Sequence, residues 1–395
     1  MENEKQWAEN TALKICEKER VVAARSGSKI PYTTVNGVFD DNSGSDRIGW
    51  WTNGFYGGLM WLLYEKFGDE LFKTRAEGIE EKLDENLMQY SGMDHDSGFK
   101  WMPTSVVNYR LSGNEKSKNR ALLAAANLAG RFNPYGNFIR AWNDWSNTDI
   151  GEKAGWAIID CLMNLPLLYW ASAETKDPRF AGIAKRHADT AIRAFLREDG
   201  SVCHIVCFDP LTGERICSKG GQGREHGSSW TRGQAWALYG FAMSYRFTKE
   251  ERYLEAAKKV AAYVLKELEK WEFVPVDFWQ DKELDWEDST AAAIFACGLL
   301  ELESVSSGKK DIYENKNGSV PEDTKAAGSY HDAAVGLLEK LADNRCRWDT
   351  GVDNITEKCT AAYNDREHNF SIIYGDYYFT EGILRLCGTE PVFLR

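Results

Sequence analysis

Asp160 lies in the run Trp156-Ala-Ile-Ile-Asp160-Cys-Leu-Met-Asn164-Leu-Pro-Leu-Leu-Tyr-Trp170, an apolar stretch that reads as a helix and offers an ionised carboxylate almost nothing to offset its desolvation. A carboxyl in that setting keeps its proton toward neutral pH and can act as a proton donor; the plainer alternative is a buried Asp that caps a neighbouring loop. Asn164, one turn on, shares its face. The second carboxyl of interest is Asp96, in His95-Asp96-Ser-Gly-Phe99 at the opening of the next helix. Asp before Ser-Gly is ordinary turn chemistry, so the interest of Asp96 lies in pairing. Two carboxyl groups that meet across a cleft are the equipment of sugar hydrolysis.

The segment Ser228-Ser229-Trp230-Thr231-Arg232-Gly-Gln-Ala-Trp236 carries a different signal. Ser229 reads as an N-cap, which puts Arg232 at the third helical position. A cation there opposes the positive end of the helix dipole, a local cost that a bound anion would remove. Trp236 is one turn beyond Arg232 and Trp230 sits just before it, so an aromatic platform adjoins the cation. The alternative is an Arg that reaches back to an Asp of a neighbouring loop. His204, in Cys203-His204-Ile-Val-Cys207, matches no common zinc spacing, and we expect a hydrogen-bonding His and no metal. Gly220-Gly-Gln222-Gly-Arg224 follows no strand and precedes no Lys-Ser/Thr, so it reads as a flexible loop over the site and not as a phosphate loop. No nucleophile elbow or Ser-His-Asp signature supports acyl transfer.

These residues need a scaffold. A 3.6-residue apolar period marks about twelve helices, near residues 4–24, 53–67, 69–89, 100–112, 115–131, 152–174, 178–197, 231–248, 250–269, 286–304, 326–344 and 375–387, with few strands. Amphipathic helices alternate with helices that are apolar or small all round, joined by Gly- and aromatic-rich loops. Six such hairpins closed into a ring make an all-α (α/α)6 barrel, read here as a single domain over residues 1–395. The polar stretch 306–329 reads as a surface loop.

Composition narrows the partners. With 395 residues, 43% of them hydrophobic, the chain can bury a large core. A net charge of −12 without clustered cations excludes nucleic acid, and any anionic ligand must be held by local positive potential. The apolar run around Asp160 is broken by that Asp, Asn164 and Pro166, so no membrane span is expected. No basic-then-apolar leader opens the chain, and nine cysteines without a Cys-x-x-Cys pair suit a reducing interior, so a cytoplasmic location is expected. Fifteen Trp, many beside Asp, Gly or Asn in loops, suit the C–H faces of sugar rings.

Taken together, His95-Asp96-x-Gly-Phe, Trp142-Asn-Asp-Trp145, Ile-Ile-Asp160-Cys-Leu-Met-Asn164, Gly221-Gln222-Gly, Ser-Ser-Trp230-Thr-Arg232-Gly-Gln-Ala-Trp236 and Tyr374-Gly-Asp-Tyr-Tyr-Phe379 resemble the unsaturated glucuronyl hydrolases, in order along nearly the whole chain. The resemblance implies an (α/α)6 barrel and hydration of the vinyl ether of a 4,5-unsaturated uronic acid at the non-reducing end of lyase-made oligosaccharides. It implies Asp160 as general acid and base, Asp96 as its assistant, and Trp50 (with Trp51 one register on), Trp145, His204, Gln222, Trp230, Arg232 and Trp236 as substrate contacts, with no metal or organic cofactor. The rival readings are a galacturonyl or rhamnogalacturonyl relative, an inverting glycosidase of saturated sugars, and a protein that binds acidic sugars without turnover.

Overall fold

The computed structural model describes residues 2–90, 92–143, 153–307 and 330–395. Its helices are α1 (Glu2–Ser26), α2 (Phe55–Phe67), α3 (Glu70–Lys82), α4 (Asp84–Leu87), α5 (Ser97–Trp101), α6 (Val107–Ser112), α7 (Glu115–Gly130), α8 (Cys161–Thr175), α9 (Pro178–Ala194), α10 (Thr231–Thr248), α11 (Glu251–Leu268), α12 (Ser289–Ser307), α13 (Tyr330–Asn344) and α14 (Ile373–Leu386). A wide π-helical turn, Met102–Val106, joins α5 to α6 into one inner rod. Pro103 within it lacks the N–H that a regular α turn would use. Three small antiparallel sheets decorate the loops: β1 (Thr34–Val35) with β2 (Val38–Phe39), β3 (Phe132–Asn133) with β4 (Phe138–Ile139), and β5 (Trp156–Ile158), β6 (Ile205–Phe208) and β7 (Arg215–Lys219) in that order.

Sequence pattern decides which layer each helix joins. In α11 only one stripe is buried, Tyr253, Leu254, Ala256, Ala257, Val260, Ala261 and Val264, and Lys and Glu cover the rest, as an outer helix requires. In α10 every residue from Thr231 to Tyr245 is buried, which only an inner position allows. The inner ring runs α2, α5–α6, α8, α10, α12, α14 and closes by contact of α14 with α2; α1, α3, α7, α9, α11 and α13 wrap it. This is the (α/α)6 barrel expected from the alternation. One helix among the described residues, α12, is long and apolar enough to cross a membrane, and 78% of it is buried inside the barrel.

Several boundaries differ from expectation. The segment expected as one helix over 152–174 is a strand, a turn and then α8: Trp156–Ile158 pairs with Ile205–Cys207, and the N–H of Ile159 donates to the carbonyl of His204 at 3.0 Å. Asp160 therefore sits just before the first helical residue, not within the helix. A short apolar run with Ile-Ile in it serves a strand as readily as a helix, so periodicity alone misplaces the start. The helix expected over 69–89 is broken into α3 and α4 at Leu83. The helix expected from 326 is described from Tyr330, and residues 308–329 of the expected surface loop lie outside the described residues.

Close packing of inner helices depends on small residues. A Cβ on Gly240 of α10 would lie 2.4 Å from Cβ of Leu162 in α8. Gly240→Ala should force the two helices apart at a cost of about 1–3 kcal/mol; a shift of the urea midpoint to lower concentration checks this, and an unchanged midpoint would mean the α8–α10 contact is looser than described.

Candidate active site

The inner helices all start at the same end of the barrel. Asp96 immediately precedes α5, Asp160 precedes α8, Trp230 precedes α10, Asp288 precedes α12, and Trp51 opens the turn before α2. Their N-termini surround a cleft of about 960 Å³ whose walls include Trp50, Trp51, Asp96, Trp142, Asp160, Gln222, Trp230, Arg232, Trp236 and Tyr374. Converging helix starts supply positive potential within a chain of net charge −12. That is the local field an anionic ligand would need.

Asp160 and Asp96 meet at the wall of this cleft, contributed by chain segments 64 residues apart. Asn164, one turn into α8, ties them: its Nδ2 donates to Asp96 Oδ1 (3.4 Å) and to the carbonyl of Asp160 (3.3 Å), while its Oδ1 accepts from the N–H of Phe99 (2.8 Å). Gly98 permits the approach, since a Cβ there would fall 2.4 Å from Cα of Asn164. Oδ1 of Asp160 is buried with no hydrogen-bond partner among the described residues. Burial pushes the Asp160 carboxyl well above the usual range, and the negative charges of Asp96 and Asp94 push it further. Burial likewise lifts Asp96, to about 6, against the pull of Lys100 and the Asn164 hydrogen bond. The two carboxyls are close enough to titrate as a pair, so the proton on Asp160 is held at the expense of its loss from Asp96.

His95, between them and wholly buried, is held neutral by that burial, with its pKa down at about 3. Sequence reading treated it only as part of a loop. The loop is fixed from behind: the N–H of His95 donates to the carbonyl of Ala141 (3.1 Å), and Arg131 donates to the carbonyls of Met93 (3.0 Å), Ala141 (3.0 Å) and Arg140 (2.8 Å).

Arg232 takes the second of the two forms expected of it, an Arg paired with an Asp of the chain, but its place in the helix differs. It is the second residue of α10, Ser229 provides no cap, and the guanidinium is fully buried. Its anion is the protein's own Asp288: Nη1 pairs with Asp288 and donates to the carbonyl of Thr360 (2.7 Å), and Nη2 donates to that of Ala361. Burial works against the charge, and Asp288 together with Tyr374 and Tyr32 more than offsets it. Arg232 still lines the cleft beneath the Trp230 ring, 4.4 Å from its centre. Sequence spacing could not show Asp288, which arrives from 56 residues downstream.

The remaining expected residues divide. Trp50 is 46% exposed at the rim, and Trp51 packs inside against Phe99 and Tyr374. Trp236 packs beside Phe99. His204 is buried behind Trp230, ring centres 4.3 Å apart, and is neutral with its pKa near 3 because of burial. Its Nδ1 lies 3.0 Å from the backbone nitrogen of Gln222 and 3.2 Å from the carbonyl oxygen of Gly220, so both ends of this loop turn bear on the ring. The loop Gly220–Arg224, expected to follow no strand and to be flexible, directly follows β7 and is tied down: Gln222 Nε2 donates to the carbonyl of Ala361 (2.8 Å), the N–H of Tyr363 to the carbonyl of Gln222 (2.8 Å), and that of Arg224 to Asp277 (3.0 Å). Trp145 lies outside the described residues. Lining residues that sequence reading missed include Tyr32 and Arg47, whose surroundings carry no distinctive local pattern.

An inner-barrel cleft with paired carboxyls and indole walls defines a glycoside hydrolase. Residues 31–301 match the model of Glycosyl Hydrolase Family 88, and the chain belongs to that family. It is 34% identical over 342 residues to an unsaturated glucuronyl hydrolase of Bacillus sp. (strain GL1), covering 85% of this chain and 86% of that protein. It is 31% identical over 343 residues to an unsaturated chondroitin disaccharide hydrolase of Streptococcus pyogenes serotype M1, covering 85% and 80%. The crystal structure of the Bacillus sp. GL1 unsaturated glucuronyl hydrolase, described as responsible for the degradation of glycosaminoglycan, superposes with a TM-score of 0.82 at 32% identity over 97% of this chain and 96% of that one.

The raised carboxyl has a consequence for stability. A group whose folded pKa lies above its unfolded value stabilises the fold below the unfolded value and loses that contribution as pH rises toward the folded one. Asp160→Asn removes this loss and no hydrogen bond to Oδ1. It should stabilise the fold by on the order of 1–3 kcal/mol near neutrality, with the gain vanishing near pH 4. Melting temperatures across pH would show a widening gap between variant and parent; a gap of constant size would mean Asp160 ionises normally.

Proposed function

We propose that this chain is an unsaturated glucuronyl hydrolase that removes the 4,5-unsaturated glucuronic acid from the non-reducing end of lyase-made oligosaccharides of glycosaminoglycan type. The observation that carries the reading is the Asp160 carboxyl, with one oxygen buried and unpartnered among the described residues, at a cleft with indole walls, one helix start away from Asp96. The names of the two relatives and of the Bacillus structure support the substrate class. One continuous core, from Ala8 to Leu394, supports a single catalytic domain over the whole chain. Nine cysteines with no disulfide among the described residues favour a reducing, cytoplasmic setting.

The chemistry follows from the acid. Asp160, kept protonated by burial and by its neighbour, gives its proton to C4 of the C4=C5 bond. Positive charge develops at C5 and the ring oxygen, beside the carboxylate of Asp96. Water adds at C5 and passes a proton back to Asp160. The resulting hemiketal opens and releases a keto uronic acid and the shortened saccharide. The proton goes to carbon and not to the leaving oxygen, so no covalent sugar intermediate forms. The helix starts and Arg232 favour the sugar carboxylate, and Trp50, Trp230 and Trp236 offer faces to the rings.

A spectroscopic assay tests this. Lyase-made disaccharides absorb in the ultraviolet through their conjugated double bond, and turnover should bleach that absorbance with glucuronyl substrates in preference to galacturonyl ones. Asp160→Asn should lower kcat by about 10²-fold or more, and Asp96→Asn should lower it strongly too. Wild-type turnover rates in Asp160→Asn would remove Asp160 as the acid, and no bleaching by the parent protein would leave the saturated-sugar glycosidase and the binding-protein readings.

A further inference from the structure

His95 has an idle nitrogen aimed at both carboxyls. Its Nε2 lies 3.5 Å from Asp96 Oδ2 and 3.7 Å from Asp160 Oδ1, beyond good hydrogen-bond distance to either, and neither ring nitrogen has another partner among the described residues. An orphaned imidazole is costly to bury, so its lone pair is available for something stronger than a hydrogen bond. One atom from each of His95, Asp96 and Asp160 lies within 4.8 Å of the others. A transition-metal ion at about 2.0–2.2 Å from each ligand would set those atoms roughly 3–3.6 Å apart. Both His95 edges are already near that span, and the edge between the carboxyls is no longer than 4.8 Å. Asp96 and Asp160 face the cleft, which provides an entry path and room for a water in the fourth position.

We propose that His95, Asp96 and Asp160 form a binding site for a divalent transition-metal ion of the zinc type, and that its occupancy inhibits the enzyme. Imidazole selects zinc, copper or nickel over magnesium or calcium. Neutral His95 is already in the ligating form. The hydrated ion exchanges bound waters for the three side-chain ligands, and the displaced waters and the proton shared by the two carboxyls leave to solvent. Asp160 then has no proton to donate, and the ion stands where the sugar's C4 must approach. Lys100 and Arg131, on the protein side of the pair, and Arg232 all oppose the incoming charge, so the ion is held reversibly as an inhibitor and not as a structural centre.

Only the inhibition rests on the hydrolase reading; the binding does not. Zinc chloride is titrated calorimetrically into the chelator-treated full chain, with cobalt(II) as a visible-light reporter of the same site. The expected result is one ion per chain, bound about tenfold or more weakly by His95→Gln and by Asp160→Asn, with magnesium giving no heat. Asp160→Asn retains its fold by the stability argument above, so the test survives if His95→Gln does not fold. With unsaturated disaccharide, zinc should raise KM, leave kcat unchanged, and be reversed by chelator. No heat with zinc, or equal affinity in parent and Asp160→Asn, overturns the site. Zinc binding without any turnover by the parent would instead sink the hydrolase reading and leave the metal site standing.

Discussion

Two carboxyl groups that share one dry corner cannot both ionise, and the rest of this molecule is arranged around that conflict. Asp96 and Asp160 are held together by Asn164 and by a backbone approach that only Gly98 permits. Lys100 favours the charge on Asp96, while Asp160 has a buried oxygen with no donor to stabilise its anion. The asymmetry assigns the proton to Asp160. A carboxyl that keeps its proton toward neutral pH is thus made from an ordinary carboxylic acid by its surroundings.

The barrel makes such a corner affordable to build and directs a field into it. Every inner helix begins at the cleft, so the partial positive charges of their first turns converge there. Toward the other ends of three of these helices, Arg246 and Arg385 grip Glu301, which places cations where the carbonyls of α10 and α14 end. A chain with an acidic surface can in this way present a locally positive interior. Arg232 belongs to both systems: its charge is neutralised by Asp288, and its carbonyl contacts to Thr360 and Ala361 fix the loop that also receives Gln222.

What the sequence revealed follows from the range over which each signal acts. The alternation of striped and uniformly apolar helices, visible in Tyr253–Leu268 against Gln234–Tyr245, is local and gave the layers of the barrel. Asp160 stood out because its misfit with apolar neighbours is also local. The strand at Trp156–Ile158 was hidden because its partner, Ile205–Cys207, is distant in sequence and an Ile-rich run suits either state. Asp288 was hidden for the same reason: a ligand anion and an Asp of a neighbouring loop both fit the local sequence at Arg232, and the chain supplies the second. His95 was visible as a residue and invisible as a site, because an unpaired nitrogen is a property of its surroundings in space.

The most direct measurement of the central claim is the carboxyl C=O band of protonated Asp160 in infrared difference spectra, with Asp160→Asn and isotope-labelled Asp to assign it. A protonated-acid band present at neutral pH in the parent protein and missing from the variant is the result this account predicts. A parent protein whose Asp160 shows only carboxylate bands at neutral pH would contradict it.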